Sequence, residues 1–404
     1  MTVTLQAGRA LGTVCAPPSK SMAHRLLISA GLSLGESIIH GISDSLDVLA
    51  TVSCLRAMGA ECKIEGDTAF VRGIDARDAS PTHLLHAGES GSTLRFFVPI
   101  ALISESPVLF EGAPSLFARP MDVYQTLCEE RGLSFLKGVS SLAVQGPLKA
   151  GNFRVKGNVS SQFISGLLFA LPLLDEDSTI SIAPPIESRS YIALTISALA
   201  EFGVTVVWQD ENTLFVKGKQ RYHAHETSVE GDYSGAAFFA ALNALGSSLT
   251  LTGLSKSSLQ GDRVYEKFIP MLMRGTPTIH IGDCPDLGPV LLALAAAKNG
   301  AVFTGTARLK IKESDRAEAM ACELRKFGTT VTVKEDSIVV YPSDFHAPSC
   351  TLLGHNDHRV VMSLAVLLTL TGGEIEGAEA VRKSFPDFFQ KLSSLGISVE
   401  EKQD

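Results

Sequence analysis

Polar and apolar positions alternate along the chain in a recurring order. A helix with a polar start and an apolar body is followed by a strand-like segment such as SIIHG or LTLTG. Six such helices open as SKSMAHRLLISA, GESGSTLRFFVPIAL, SSQFISGLLFALPLL, DYSGAAFFAALNAL, DLGPVLLALAAA and NDHRVVMSLAVLL. The middle bodies are apolar nearly all round, which predicts buried helices. A second helix then ends in an apolar residue or Arg followed by Gly and a short strand: LRAMGAECKI, LCEERGLSFL, LAEFGVTVVW, MLMRGTPTIH, LRKFGTTVTV and LSSLGISVEE. The glycines are Gly59, Gly132, Gly203, Gly275, Gly328 and Gly396, spaced by 73, 71, 72, 53 and 68 residues. Glycine suits the left-handed residue that ends a helix. One α/β unit used six times is the expected fold class. Solenoid repeats are shorter, roughly 20 to 50 residues.

A buried helix that starts with Ser, Asp, Asn or Gly leaves its first amides pointing out of one end. Those amides and the helix dipole favour anions, although the same residues also serve as ordinary N-caps. Basic residues near these ends favour the ligand reading, because a cation opposes the local dipole. They include Lys20 and Arg25 in PPSKSMAHR with Ser21, Arg95 after the turn at Gly91, and Arg119 in FARP. Further along come Lys312 and Arg316 in KIKESDR, Arg359 beside His358 in NDHR, and Arg382 and Lys383 in RKSFPDFF. Polar groups in matching positions are Ser160, Ser161 and Gln162 in SSQF and Ser188 and Tyr191 in ESRSY. Arginine offers a planar fork for carboxylate and phosphate, lysine a compact charge. Such a set suits substrates rich in both anions. Asp286 in CPDLG and Glu313, carboxylates kept among cations, are the general acid and base candidates.

Composition narrows the alternatives. With 404 residues, 45% of them hydrophobic, the chain suits two domains. A net charge of −8 gives no general pull toward nucleic acid or anionic membrane. No apolar run approaches the ~20 residues of a membrane span, and MTVTLQAGRA lacks the marks of a signal peptide. The seven scattered cysteines form no C-x-x-C pair, which fits a reducing, cytoplasmic setting. No P-loop or dinucleotide fingerprint is present. The close pairs His83/His86, His223/His225 and His355/His358 include no H-E-x-x-H and lack ligand-spaced partners, so no metal is expected. His358 either orients a neighbour or takes part in the chemistry.

Taken together, SKS..R, SSQF, VEGDYS, KESDR, NDHR and K.FPD.F resemble 5-enolpyruvylshikimate-3-phosphate synthases, in that family's order, from residue 17 to residue 389. The resemblance implies a two-domain α/β enolpyruvyl transferase fold of six βαβαββ repeats, three per domain, with buried helices aimed N-terminus first at an interdomain cleft that holds the active site. It implies one domain from residues 14–228 and another from 1–13 with 229–404. The implied reaction joins phosphoenolpyruvate to the 5-hydroxyl of shikimate 3-phosphate through a tetrahedral intermediate, with loss of phosphate and with no cofactor or metal. The chain is expected to act as a monomer without nucleic-acid or membrane partners.

Carried over residue by residue, Lys20, Gly91, Arg119, Arg316, Arg359 and Lys383 match phosphoenolpyruvate contacts. Ser21, Arg25, Ser160, Ser161, Ser188, Tyr191 and Lys312 match shikimate 3-phosphate contacts, and Gln162 lies between the substrates. Asp286 matches the acid at the shikimate hydroxyl. Glu313 matches the acid that exchanges protons with the enolpyruvyl methylene carbon, and Lys20 is counted with these two as catalytic. Two positions depart from the pattern. Glu89-Ser90-Gly91-Ser92 stands where many members have Asn-Ala-Gly-Thr, and Arg308 replaces an asparagine that helps hold the shikimate ring. The alternatives are a UDP-N-acetylglucosamine enolpyruvyl transferase, which starts with Lys-Asn rather than SKS, and a non-catalytic anion-binding homologue.

Overall fold

The computed structural model describes residues 1–76 and 84–402; His83 of the first histidine pair lies outside them. The chain divides into two compact units, Met1–Pro17 with Gly231–Asp404, and Pro18–Glu230. Both crossings fall a few residues later than the expected borders at 13/14 and 228/229. The reason is strand pairing. Leu11–Cys15 runs parallel to Ser248–Thr252 along its whole length. The Ala16 and Asp232 amides then donate to Thr252 and Pro17 carbonyls, so residues up to Pro17 stay with the first unit. The Ser19 amide donates to Glu230 O at 2.8 Å, which starts the second unit.

Among the described residues, unit Pro18–Glu230 holds three four-stranded sheets of one plan. In one, Leu84–Gly88 pairs parallel with Val108–Gly112, which pairs antiparallel with Ser141–Gln145 and through it with Ser134–Lys137. The same order recurs in Asn152–Lys156, Ser178–Ala183, Thr213–Val216 and Val206–Trp208. It recurs again in Glu226–Ser228, Glu36–His40, Thr68–Arg72 and Glu61–Glu65. The helices Lys20–Gly31, Gly91–Ala101 and Ser161–Ala170 form the core beneath, buried over nearly their whole lengths.

The other unit repeats the plan twice. One sheet runs Thr278–His280, Ala301–Thr304, Ser337–Val340, Val331–Val333, and the other Leu352–Leu353, Gly373–Glu376, Thr2–Leu5, Val399–Lys402. Its buried helices are Tyr233–Ala244, Gly288–Ala297 and His358–Thr371. The remaining copy is abbreviated: Leu11–Cys15 and Ser248–Thr252 form a two-stranded sheet, followed by the helix Tyr265–Arg274. This accounts for the short spacing after Gly275. Five of the six repeat glycines have φ between 66° and 106°, but Gly275 is extended at φ 173°. The strand after it opens the next sheet instead of returning to its own, so no left-handed turn is needed there. Among the described residues no helix is long and apolar enough to cross a membrane. All seven cysteines are free.

Candidate active site

The polar helix starts do act as caps. Ser19, Ser90, Ser160, Asp232 and Asp357 each accept a backbone amide from the first turn of the following helix. The sixth buried helix, Gly288–Ala297, has no side-chain cap and is led in by the 3-10 turn Pro285–Leu287, which carries Asp286.

In the unit containing both termini, Arg316 is the hub. Its side chain is 1% exposed, and its fork meets three carboxylates. Nε donates to Asp357 Oδ2 at 2.8 Å, Nη1 to Asp286 Oδ1 at 2.8 Å and Nη2 to Glu313 Oε2 at 2.6 Å. Asp286 also receives Lys312 Nζ at 3.2 Å and Arg359 Nη2 at 3.3 Å. Five expected site residues, Asp286, Lys312, Glu313, Arg316 and Arg359, therefore form one connected cluster. Lys383 donates to the Asn356 carbonyl at 2.6 Å, directly before Asp357. His358 is buried beside these groups at the start of its helix.

The electrostatics follow from burial among opposite charges. Burial alone would raise the Asp286 pKa, but Arg359, Lys312 and Arg316 outweigh it and hold the carboxyl well below its usual range. Burial lowers the Lys312 pKa, against the pull of Asp286. Arg316 is held even more firmly protonated than usual, because Asp357, Glu313 and Asp286 outweigh the cost of its burial. A second acidic group was not expected from the sequence: Asp232, pushed up to about 6 by burial, with Arg359 pulling it down and Asp262 pushing it up. Ser234 Oγ donates to Asp262.

In unit Pro18–Glu230, Lys20 Nζ pairs with Asp47 Oδ2 at 2.7 Å, and both side chains are mostly buried. Arg95 donates to Gln162 Oε1 at 2.6 Å and to Pro120 O at 3.0 Å, and Gln162 donates onward to Ser92 Oγ at 2.8 Å. Gly91 sits against this group. A Cβ there would lie 2.9 Å from Arg119 Nη1, 3.4 Å from Arg95 Nη1 and 3.8 Å from Gln162 Oε1. The absence of a side chain at residue 91 thus lets the Arg119 guanidinium lie over the helix start.

Arg25 is 2% exposed. Its nitrogens donate to Thr195 Oγ1 at 2.8 Å, Ser21 O at 2.6 Å and Tyr191 O at 3.1 Å, and its guanidinium lies over the Phe96 ring. Burial lowers its pKa to about 10. Nη2 also donates to Ser165 Oγ at 3.5 Å, which leaves one Nη1 hydrogen for a ligand, while Ser21 and Tyr191 are tied to Arg25 through their carbonyls. Ser160 caps its helix, Ser161 is buried, and Ser188 precedes the Arg189–Glu201 helix in the left-handed region at φ 55°. Of the two departures, Glu89 is half-buried just before the Ser90 cap. Arg308 is buried and donates to Gly282 O at 3.2 Å.

Sequence reasoning missed Asp47, Asp232, Asp262, Thr195 and Asp357. Asp232 and Asp357 were visible as helix caps in GDYS and NDHR, but a cap needs no second partner, so nothing marked them as holding cations. Asp47 sits in the first turn of Leu46–Ala57, where an acid is ordinary. Asp262 and Thr195 carried no signal.

A family model described as EPSP synthase (3-phosphoshikimate 1-carboxyvinyltransferase) matches residues 5–392. A 3-phosphoshikimate 1-carboxyvinyltransferase of Clostridium perfringens (strain 13 / Type A) is 40% identical, covering 97% of this chain and 97% of its own. One of Clostridium botulinum (strain Eklund 17B / Type B) is 38% identical over 99% and 98%. A solved EPSP synthase from Acinetobacter baumannii superposes with a TM-score of 0.81 over 100% of both chains at 22% identity, a likeness that shows the two-domain enolpyruvyl transferase fold. By its sequence, the chain belongs to the EPSP synthase family.

Proposed function

We propose that this chain transfers the enolpyruvyl group of phosphoenolpyruvate to the 5-hydroxyl of shikimate 3-phosphate, releasing phosphate, as an enzyme of aromatic amino acid biosynthesis. The family match over nearly the whole chain supports this reading and does not favour the UDP-N-acetylglucosamine alternative. The observation that carries it is the shared Arg316: Asp286 and Glu313 both bond to one buried guanidinium, which sets two acid–base candidates side by side.

In the addition step a proton moves to the methylene carbon of phosphoenolpyruvate as the 5-oxygen bonds to the adjacent carbon and loses its own proton. In the elimination step a methyl proton leaves and the C–O bond to phosphate breaks. Glu313 exchanges the carbon proton, Asp286 takes the hydroxyl proton, and Lys20 assists at phosphoenolpyruvate. Arg119, Arg316, Arg359 and Lys383, with Gly91, hold phosphoenolpyruvate. Ser21, Arg25, Ser160, Ser161, Ser188, Tyr191 and Lys312 hold shikimate 3-phosphate, and Gln162 serves both. The chain works in a reducing cytosol as a monomer.

The test is phosphate release with both substrates and with each alone. Release that requires both supports the assignment. Binding of shikimate 3-phosphate without release would leave a non-catalytic homologue, and release with UDP-N-acetylglucosamine in its place would move the chain to the other transferase.

A further inference from the structure

Glu323 lies in the Arg316–Lys326 helix with its side chain fully buried. It accepts from Lys326 Nζ at 2.8 Å, from the Leu353 amide at 2.9 Å and from His355 Nε2 at 2.9 Å. Burial alone would raise its pKa, but the bonds from His355, Lys326 and Leu353 outweigh that and keep it below the usual value. An ionised carboxylate only accepts, so His355 is assigned the tautomer with a hydrogen on Nε2.

Two of those three bonds end on one turn. It contains His355 at φ 50° and Asn356 at φ 52°, two consecutive non-glycine residues in the left-handed region. Such residues are sparsely populated and persist where their surroundings impose them. The result of the turn is visible just after it. The Asn356 carbonyl takes Lys383 Nζ at 2.6 Å, and Asp357 caps its helix at the Arg359 amide while gripping Arg316. One buried carboxylate, acting through one imidazole, is thus two residues from the groups that fix Lys383 and Arg359.

We infer that the Glu323–His355 pair is a positioning device for phosphoenolpyruvate binding, holding the Leu353–Asp357 turn so that Lys383 and Arg359 keep their places. The inference rests on the reading of Lys383 as a phosphoenolpyruvate contact. Neither Glu323 nor His355 touches the reacting groups; both act through the turn.

The experiment compares His355→Asn with His355→Gln in the full-length enzyme. Asparagine tolerates the left-handed backbone but is too short to reach Glu323, whereas glutamine keeps an amide donor at about the reach of Nε2. His355→Asn should raise the KM for phosphoenolpyruvate about fivefold, equivalent to about 1 kcal/mol. The KM for shikimate 3-phosphate and the Tm should stay near wild type, and His355→Gln should restore most of the loss. Lys383→Met should raise the phosphoenolpyruvate KM more, and adding His355→Asn to it should cost less than the fivefold seen alone, because only the Arg359 share of the effect is left. Wild-type kinetics in His355→Asn beside an impaired Lys383→Met overturns the positioning role and leaves the Lys383 reading standing. A loss shared equally by both substrates and matched by a fall in Tm also overturns it, since that is plain destabilisation. A Lys383→Met enzyme with an unchanged phosphoenolpyruvate KM removes the Lys383 reading and this inference with it.

Discussion

Arg316 Nη1 and Asp286 Oδ1 lie 2.8 Å apart, inside a network in which each group has further partners of opposite charge. The guanidinium is 1% exposed and binds Asp357 and Glu313 as well. Lysine cannot reproduce a fork that meets three carboxylates. Arg316→Lys is therefore expected to lower stability by about 3–5 kcal/mol, the range for breaking a buried pair. Chemical denaturation checks this, and a loss under about 1 kcal/mol would show the cluster to be loosely held.

Glu313→Gln should separate chemistry from scaffolding. Glutamine keeps the shape but cannot exchange a proton. The expected outcome is a kcat lower by roughly 10²–10⁴, with shikimate 3-phosphate affinity nearly intact and the Tm lowered little. Asp286→Asn should show a similar loss of kcat with a larger drop in Tm, because Asp286 also pairs with Lys312 and Arg359. Near wild-type kcat in either variant removes that residue from the acid–base role.

Adding one carbon at residue 91 should act on the cation beside it. The Cβ of Gly91→Ala would meet Arg119 Nη1 at 2.9 Å, so the guanidinium must shift. The KM for phosphoenolpyruvate should rise about tenfold, equivalent to 1.4 kcal/mol, while that for shikimate 3-phosphate changes little. Equal effects on both substrates would place Arg119 elsewhere.

The Asp232 carboxyl gives a pH signature. Its folded pKa, about 6, lies above the ordinary carboxylate value of roughly 4. Between those values the folded state binds more protons than the unfolded one, so this group's contribution to stability is full below pH ~4 and is lost as pH rises through about 6. Asp232→Asn keeps an oxygen for only one of the Ser234 and Gly235 amides and loses the other bond at every pH, so it is the pH trend of the comparison that reports on the charge. The variant should gain in Tm relative to wild type as pH goes from 4.5 to about 7. A Tm difference that stays flat across that window would mean the carboxyl is already charged at the lower end.

The sequence by itself determined the repeat, the six buried helices and the family. Each depends on local pattern: apolar periodicity, a cap residue before a helix, a glycine after it, and short motifs in a fixed order. It also marked Lys312, Arg316 and Arg359, since cations at helix starts are locally unfavourable and so conspicuous, and Asp286 and Glu313 as acids kept among them. Tertiary structure decided what those charges do to each other. That Arg316 joins Asp286 and Asp357 as well as its near neighbour Glu313 depends on contacts between residues 30 and 41 positions apart, which no local pattern encodes. The same holds for Lys20 on Asp47, 27 residues away, and for Arg25 turned inward onto Thr195, 170 residues away. The abbreviated sixth copy was equally hidden, because the Gly275 segment reads like its five counterparts until strand pairing assigns Thr278–His280 to the next sheet. Pairing across a sheet and burial of a charge are set by which distant segments meet, and that is fixed only when the chain folds.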